Sequence, residues 1–233
     1  MNYLQDSYVK EFTTTVKSVK DGKYVVLDET WFYPMGGGQP HDEGVLKRTS
    51  DGVEFKVIFA KKFDDVSHEV DREGLGPGDE VEAVIDWARR YRLMRSHTAA
   101  HVVSALIRNK TSALITGNQL SLEKVRIDFS LDEFNPEMFK NIIDEANELI
   151  AKGAPLSFSL VTREQALDEP VLAGLAKGLP EHEQIRVVEI QGLDRQACGG
   201  THVADIKEID SLEFLKAENK GKRNRRVYFR LAR

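Results

Sequence analysis

From Trp87 to Asn109 the chain contains neither glycine nor proline. Leu93, Ala100, Val103, Ala105, Leu106 and Ile107 supply apolar groups near helical spacing, so the segment predicts an α-helix. This helix divides the chain. Before it, "FTTTVKSV", "KYVVLDE", "VEFKVIFA" and "DEVEAVID" carry β-branched residues in partial alternation. Turn signals at Asp21-Gly22, Gly36-Gly37-Gly38, Asp51-Gly52 and "GLGPGD" separate them, which predicts short strands in a small β-barrel. After it, "ALITGNQLSLEKVRIDFS" predicts a strand, a Gly-Asn turn and a second strand. "NPEMFKNIIDEANELIAKG" predicts a helix with Asn135 as N-cap, Pro136 in the first turn and Gly153 just past the end. Met138, Ile142, Ala146 and Leu149 form its apolar stripe. "PLSFSLVT" and "IRVVEI" predict strands and "REQALDE" a short helix. "SLEFLKAENKGKRNRRVYFRLA" predicts a hairpin about Lys220-Gly221-Lys222. The expected fold is α+β: a barrel over residues 1–88, then over 89–233 a domain with helices packed on an antiparallel sheet.

Two short stretches carry the chemistry. In "SHTAAH" (96–101), His97 and His101 stand four apart on the predicted helix, on one face and one turn apart. In "QACGGTH" (196–202), Cys198, the only cysteine, stands four before His202, with Gly199 and Gly200 between. Two glycines argue against a regular helix and let the backbone turn sharply. Each pair alone is equally an ordinary structural feature. Together they offer three nitrogens and one thiolate, a borderline-soft set that suits Zn²⁺. A zinc protease of the HExxH type is excluded, because Thr98 stands where its glutamate must be. A cysteine protease is excluded because a thiolate bound to metal is no longer a nucleophile.

A single cysteine cannot form an internal disulfide, which favours a reducing compartment. No apolar run approaches the roughly 20 residues of a membrane span, and the first residues lack the apolar core of a signal peptide. The expected location is cytoplasmic. A net charge of -5 excludes a generally basic nucleic-acid binder. Two local stretches run the other way, "RRYRLMR" (Arg89, Arg90, Arg92, Arg95) and "KAENKGKRNRR" (Lys220, Lys222, Arg223, Arg225, Arg226). Each reads either as solvated charge or as RNA phosphate contact.

"VIDWARRYRLMRSHTAAH" followed by "ACGGTH" closely resembles the editing domain of alanyl-tRNA synthetase and its free-standing relatives, the AlaX proteins. "FYPMGGGQPHDEG" (32–44) is similar to the glycine-rich segment of the synthetase, so the resemblance spans nearly the whole chain. It implies a translation-factor-like barrel joined to a zinc editing domain, in the medium-length AlaX class. The implied activity is hydrolysis of serine, and of glycine, wrongly attached to alanine tRNA, with no DNA or membrane partner. It implies substrate contacts from Gly36, Gly37, Gly38 and Gln39 and from Thr116 and Gln119 of "TGNQ", the last two equally readable as turn chemistry. Thr98, Gly199 and Gly200 are expected beside a metal-activated water, the glycine amides facing an oxyanion. A different class stays open: a non-catalytic, zinc-stabilised RNA-binding module. Only turnover separates the two.

Overall fold

The computed structural model describes residues 2–169, 172 and 184–232. The chain divides into two compact units: Met1–Met94 with Leu120–Leu122, and Arg95–Gln119 with Glu123–Arg233.

The first unit is a closed antiparallel barrel of six strands: β1 (Glu11–Lys20), β2 (Tyr24–Leu27), β3 (Gly44–Arg48), β4 (Glu54–Lys62), β5 (Val66–Val70) and β6 (Glu80–Ile85). They run around it in the order β1-β2-β5-β4-β3-β6. Strict alternation drives this closure. In β6, Val81, Ala83 and Ile85 are buried while Glu80, Glu82 and Val84 are exposed. The inward residues join Val16, Val25, Phe32, Leu46, Phe55, Val57 and Val70 in one core. β3 and β5 lie outside the four segments whose composition signals strands. Gly44 shows why β3 starts where it does. A Cβ there would lie 2.2 Å from the Val84 carbonyl oxygen, so only glycine lets β3 approach β6.

The glycine-rich segment has a defined form. Gly36 and Gln39 exchange both backbone hydrogen bonds (3.2 and 2.8 Å) across Gly37 and Gly38. Both central residues have positive φ, +55° and +84°, as a type I′ hairpin turn requires. The Tyr33 hydroxyl donates to the Gly36 carbonyl (2.9 Å), and Leu120 N donates to the Gly38 carbonyl (2.8 Å). Asp42, three residues beyond Gln39, is buried and accepts from Tyr33 N (2.6 Å) and from Arg90 Nε (2.8 and 2.9 Å).

Helix α1 (Trp87–Thr111) starts in the first unit and belongs to the second from Arg95 onward. Every residue from Ser96 to Ile107 is buried, as expected of a helix surrounded by protein. The second unit also holds β7 (Ile115–Leu120) up to Gln119, β8 (Val125–Phe129), α2 (Pro136–Lys152), β9 (Leu156–Val161), α3 (Arg163–Asp168), β10 (Ile185–Ile190), β11 (Asp194–Ala197), β12 (Leu212–Asn219) and β13 (Arg225–Leu231). Two antiparallel sheets result, β11-β10-β9 and β12-β13-β8-β7. The α2 caps fall where the sequence puts them: Asn135 Oδ1 accepts from Glu137 N and Met138 N, and Gly153, at φ +82°, donates to Leu149. The buried face of α2 is Phe139, Ile142, Ile143, Ala146 and Ile150; Met138 and Leu149 are only half-buried at its border. A wider stripe than one row of i+4 positions is what packing on a sheet demands.

The expected Gly-Asn turn does not form. Gly117 and Asn118 lie inside β7, and the chain reverses over residues 121–124. Gly117 has no positive φ. It is small because a Cβ would stand 3.1 Å from Asp128 Oδ2 on β8.

Candidate metal centre

Helix periodicity brings His97 and His101 to one face of α1, with ring centroids 5.3 Å apart. β11 delivers the other pair. Its ladder with β10 continues one residue past its end, where Cys198 N donates to Arg186 O (3.0 Å). The chain then leaves the sheet through Gly199 and Gly200 and returns His202 to the helix, with ring centroids 4.4 Å from His97 and 4.7 Å from His101. One ligand atom from each of His97, His101, Cys198 and His202 lies within 4.8 Å of the others. Cys198 Sγ is 3.5 Å from His97 Nε2 and 3.3 Å from His202 Nε2. Donors at 2.0–2.3 Å from one tetrahedral ion are about 3.3–3.6 Å apart. The two sulfur–nitrogen spacings match this range, and the three-nitrogen, one-sulfur set is one that could hold a shared metal ion.

His101 and His202 spend their other nitrogen on the protein. His101 Nδ1 donates to Asp194 Oδ2 (2.9 Å), which also accepts from Gln196 Nε2 (2.7 Å), while Asp194 Oδ1 takes Arg108 Nη2 (2.7 Å). His202 Nδ1 lies 3.1 Å from Thr98 Oγ1. Each ring is thereby fixed with Nε2 toward the common centre, the arrangement in which a hydrogen-bonded partner orients a metal-binding imidazole. Electrostatics follow. Burial opposes charge on His101, but Asp194 and Cys198 outweigh it and raise its pKa to about 9. His202 has no carboxylate: burial, then the charge of His97, lowers it to about 3. Burial would raise the Cys198 thiol, yet His97 and His202 hold it well below its ordinary value, so the thiolate is favoured.

The backbone around Cys198 is clamped. Arg186 Nη1 donates to both Cys198 O (2.9 Å) and Gly200 O (3.0 Å), and its guanidinium lies over the Phe158 ring (4.4 Å). Gly200 N donates to Cys198 Sγ (3.4 Å), so this amide faces the thiolate. Thr98 Oγ1 also accepts from Val203 N (3.3 Å). This buried hydroxyl holds the His202 loop to α1. Gly199 is exposed, and a Cβ there would meet nothing within 4 Å. Asp194 and Arg186 escape a reading of the sequence, because neither forms a local motif with the groups it orients.

Thr116 and Gln119 lie on exposed β7, three apart, and so on opposite faces of the strand. Thr116 Oγ1 is 3.4 Å from Asn224 Oδ1. Neither belongs to the metal cluster. Gly36, Gly37, Gly38 and Gln39 form the barrel's hairpin turn, and the Gln39 side chain is buried.

The basic stretches are largely committed to structure. Arg90 is fully buried, paired with Asp42 and donating to the Ser7 and Trp31 carbonyls (2.9 and 2.5 Å). Arg225 is buried and donates to the Glu133 carbonyl (3.2 Å), the Gly221 carbonyl (2.6 Å) and Asn219 Oδ1 (3.0 Å), tying the hairpin turn to the loop before α2. These two are not available to phosphate. A basic run in sequence does not reveal which of its guanidinium groups the fold consumes. Arg89 pairs with Glu43 (3.2 Å), Arg92 donates to the Leu122 carbonyl, and Arg95 Nη2 donates to Ile209 O (2.7 Å). Lys220 pairs with Glu218 (2.8 Å) and Arg223 with Asp132 (2.7 Å), while Lys222 is exposed.

Comparison with known proteins decides the family. A protein named alanyl-tRNA editing protein AlaX-M from Methanosarcina barkeri is 49% identical, over 98% of this chain and 97% of its own. One of the same name from Saccharolobus solfataricus is 44% identical, over 97% of this chain and 96% of its own. The chain belongs to the AlaX-M family. The alanine–tRNA ligase of Sulfurisphaera tokodaii is 36% identical over 93% of this chain, which covers 24% of the ligase. Residues 4–89 match the family model for class II (A) tRNA synthetases. Residues 185–228, which include Cys198 and His202, match that for the threonyl and alanyl tRNA synthetase second additional domain. Among the described residues no helix is long and apolar enough to cross a membrane.

Proposed function

We propose that this chain hydrolyses the ester of alanine tRNA mischarged with serine, and also with glycine, at a zinc ion held by His97, His101, Cys198 and His202. The observation that carries this reading is the convergence of those four donors within 4.8 Å in a chain 44–49% identical to proteins named for alanyl-tRNA editing. Bound zinc supplies Lewis-acid polarisation of an ester carbonyl or acidification of a water. The protein's own groups set the stage for it. Asp194 and Thr98 orient two imidazoles, and Arg186 fixes the Cys198–Gly200 backbone. Open space in front of Gly199 gives the aminoacyl end room beside Cys198. Asp194 is ionised and fully engaged, so it orients His101 rather than taking a proton from water.

The substrate must be told from alanine, which is smaller than serine. Only a requirement for the hydroxyl can do this, and a site built to bond a hydroxyl discriminates by up to ~10⁴–10⁵. Thr116 and Gln119 are the proposed contacts. Because β7 points them to opposite faces, only one serves the serine hydroxyl, so only one of the single substitutions Thr116→Val and Gln119→Leu narrows the serine–alanine gap. Glycine is chosen by a pose that the methyl of alanine blocks. The Gly37-Gly38 turn, with Gln39, positions the acceptor end of the tRNA. The protein acts in the cytoplasm. Four protein donors also suit a purely structural ion, the non-catalytic RNA-binding reading. Both are tested by incubating the purified protein with seryl-, glycyl- and alanyl-tRNA. The expected result is rapid release of serine and glycine with alanine spared. Equal rates on seryl and alanyl substrates refute editing, and no turnover at all leaves the RNA-binding module.

A further inference from the structure

The cations that the fold leaves in surplus are not those of the basic stretches alone; they gather on the open face of the sheet β12-β13-β8-β7. In β13, Val227, Phe229 and Leu231 are buried, and Arg226, Tyr228 and Arg230 alternate on the other face. Register brings Arg126 of β8 and Lys216 of β12 opposite Tyr228, and Asp128 and Glu218 opposite Arg226. Three cations surround the Tyr228 ring: Lys216 Nζ at 5.0 Å, Lys124 Nζ at 5.5 Å and the Arg226 guanidinium at 6.0 Å.

The carboxylates are too few for these cations. Asp128 is held by Arg226 through both oxygens (2.5 and 3.0 Å), which leaves Arg126 at 3.9 Å. Glu218 is shared by Lys216 (2.6 Å) and Lys220 (2.8 Å), whose contact holds its carboxyl at about 2. Glu213 pairs with Arg230 (2.7 Å). Among the described residues, five cations, Arg126, Lys216, Lys220, Arg226 and Arg230, thus share these three carboxylates, in a chain whose net charge is -5. Lys124, Arg126, Arg230 and Tyr228 lie outside both basic stretches of the sequence. The face is assembled only by strand pairing.

We infer that this open sheet face, with Lys124, Arg126, Lys216 and Arg226 arrayed about Tyr228, is the surface that docks the phosphate backbone of the tRNA. Positive surplus on an otherwise acidic chain complements a polyanion and no other class of partner as well. The ring of Tyr228 gathers the ammonium and guanidinium groups by cation–π attraction. Phosphates then exchange with Glu218 and Asp128 for the cations these carboxylates share. The inference rests on the proposed action on tRNA, but it concerns binding and not turnover.

The test uses the full chain and an unacylated alanine tRNA transcript. Lys124→Gln/Arg126→Gln/Lys216→Gln removes three positive charges and leaves Asp128 its bidentate Arg226. Lys56→Gln/Lys61→Gln/Lys62→Gln, on β4 of the barrel, removes the same charge elsewhere. The sheet variant should bind about 10- to 100-fold more weakly near physiological salt, and its log K against log salt slope should flatten by about 2 to 3. The barrel variant should keep nearly the wild-type slope. Tyr228→Phe should bind as wild type, and Tyr228→Leu several-fold more weakly. Equal loss in the two triple variants, an unchanged slope in the sheet variant, or no salt-dependent tRNA binding by wild type overturns the inference. Absent deacylation with intact, sheet-dependent binding instead removes the proposed activity and leaves this surface standing.

Discussion

The barrel and the second unit both bury histidine, and they use it differently. His68, on β5, is fully buried in the barrel with one nitrogen 3.0 Å from the Val25 carbonyl oxygen and the other 2.9 Å from Thr30 Oγ1. Burial lowers its pKa to about 4, only partly offset by the Val25 carbonyl. Both nitrogens are consumed, so the ring is a neutral packing element. In the second unit, His101 and His202 each give one nitrogen to Asp194 or Thr98 and turn the other toward Cys198. What separates a core histidine from a candidate ligand is therefore neither burial nor the size of its pKa shift, since His68 and His202 are shifted alike. It is the destination of the second nitrogen.

That contrast breaks most directly by substitution. Cys198→Ala or His101→Ala should abolish stoichiometric zinc and lower serine release by more than about 100-fold, the upper range for losing a mere supporting group. His68→Gln should leave metal content and rate per folded molecule as they are. Elemental analysis with deacylation rates reads both; full zinc in Cys198→Ala dissolves the distinction. Asp194→Asn is the next largest effect. Without the carboxylate, His101 loses its orienting acceptor, and metal affinity should fall about 10- to 100-fold by competition with a chelating dye. Unchanged affinity would make Asp194 a partner of Arg108 alone.

Acid sharpens the comparison from the other side. Above the ordinary histidine value of 6.5, His68 is neutral both folded and unfolded and contributes no pH dependence. As pH falls below 6.5 the unfolded chain takes up a proton that the folded barrel refuses until about pH 4. Stability should therefore decline across that window by about 3 kcal/mol and then level off. Both tryptophans, Trp31 and Trp87, lie in the first unit, so their fluorescence during urea titration follows it. The decline should be shallower in His68→Gln; identical slopes would mean that His68 is not the titrating group. The smallest effect concerns the I′ turn. Gly37→Val should destabilise the barrel by about 1–2 kcal/mol because φ is +55°, whereas Gly37→Asn, which tolerates that conformation, should cost less. Asn is thus the fair probe of the turn in editing. A Val variant as stable as the Asn one would mean the turn relaxes.

Features that depend on a few neighbouring residues were legible in the sequence. The α2 caps at Asn135 and Gly153, the β12–β13 hairpin and the four-residue spacing within each of the pairs His97–His101 and Cys198–His202 are of this kind. Features made by distant pairing were not. β11 reads "DRQA", without a β-branched residue, and is a strand because β10 offers it a ladder. Gly117 looks like a turn residue until Asp128 stands over it. Arg90 looks solvated until Asp42, far away in sequence, claims it. The orienting carboxylate of Asp194 was hidden for the same reason: its partner His101 lies on a different element.

The unbroken burial of α1 from Ser96 to Ile107 has a kinetic consequence. His97 and His101 ride on a segment whose amide protons exchange only when the surrounding core opens. Cys198 stands half-buried at the end of a four-residue strand, followed by exposed Gly199. The two halves of the cluster thus differ in how readily they let go. Release of an ion from the strand side would first require the Arg186 hold on the Cys198 and Gly200 carbonyls to break, while the helix kept its shape as a waiting half-site. Reloading then requires one loop to close again, not a domain to refold.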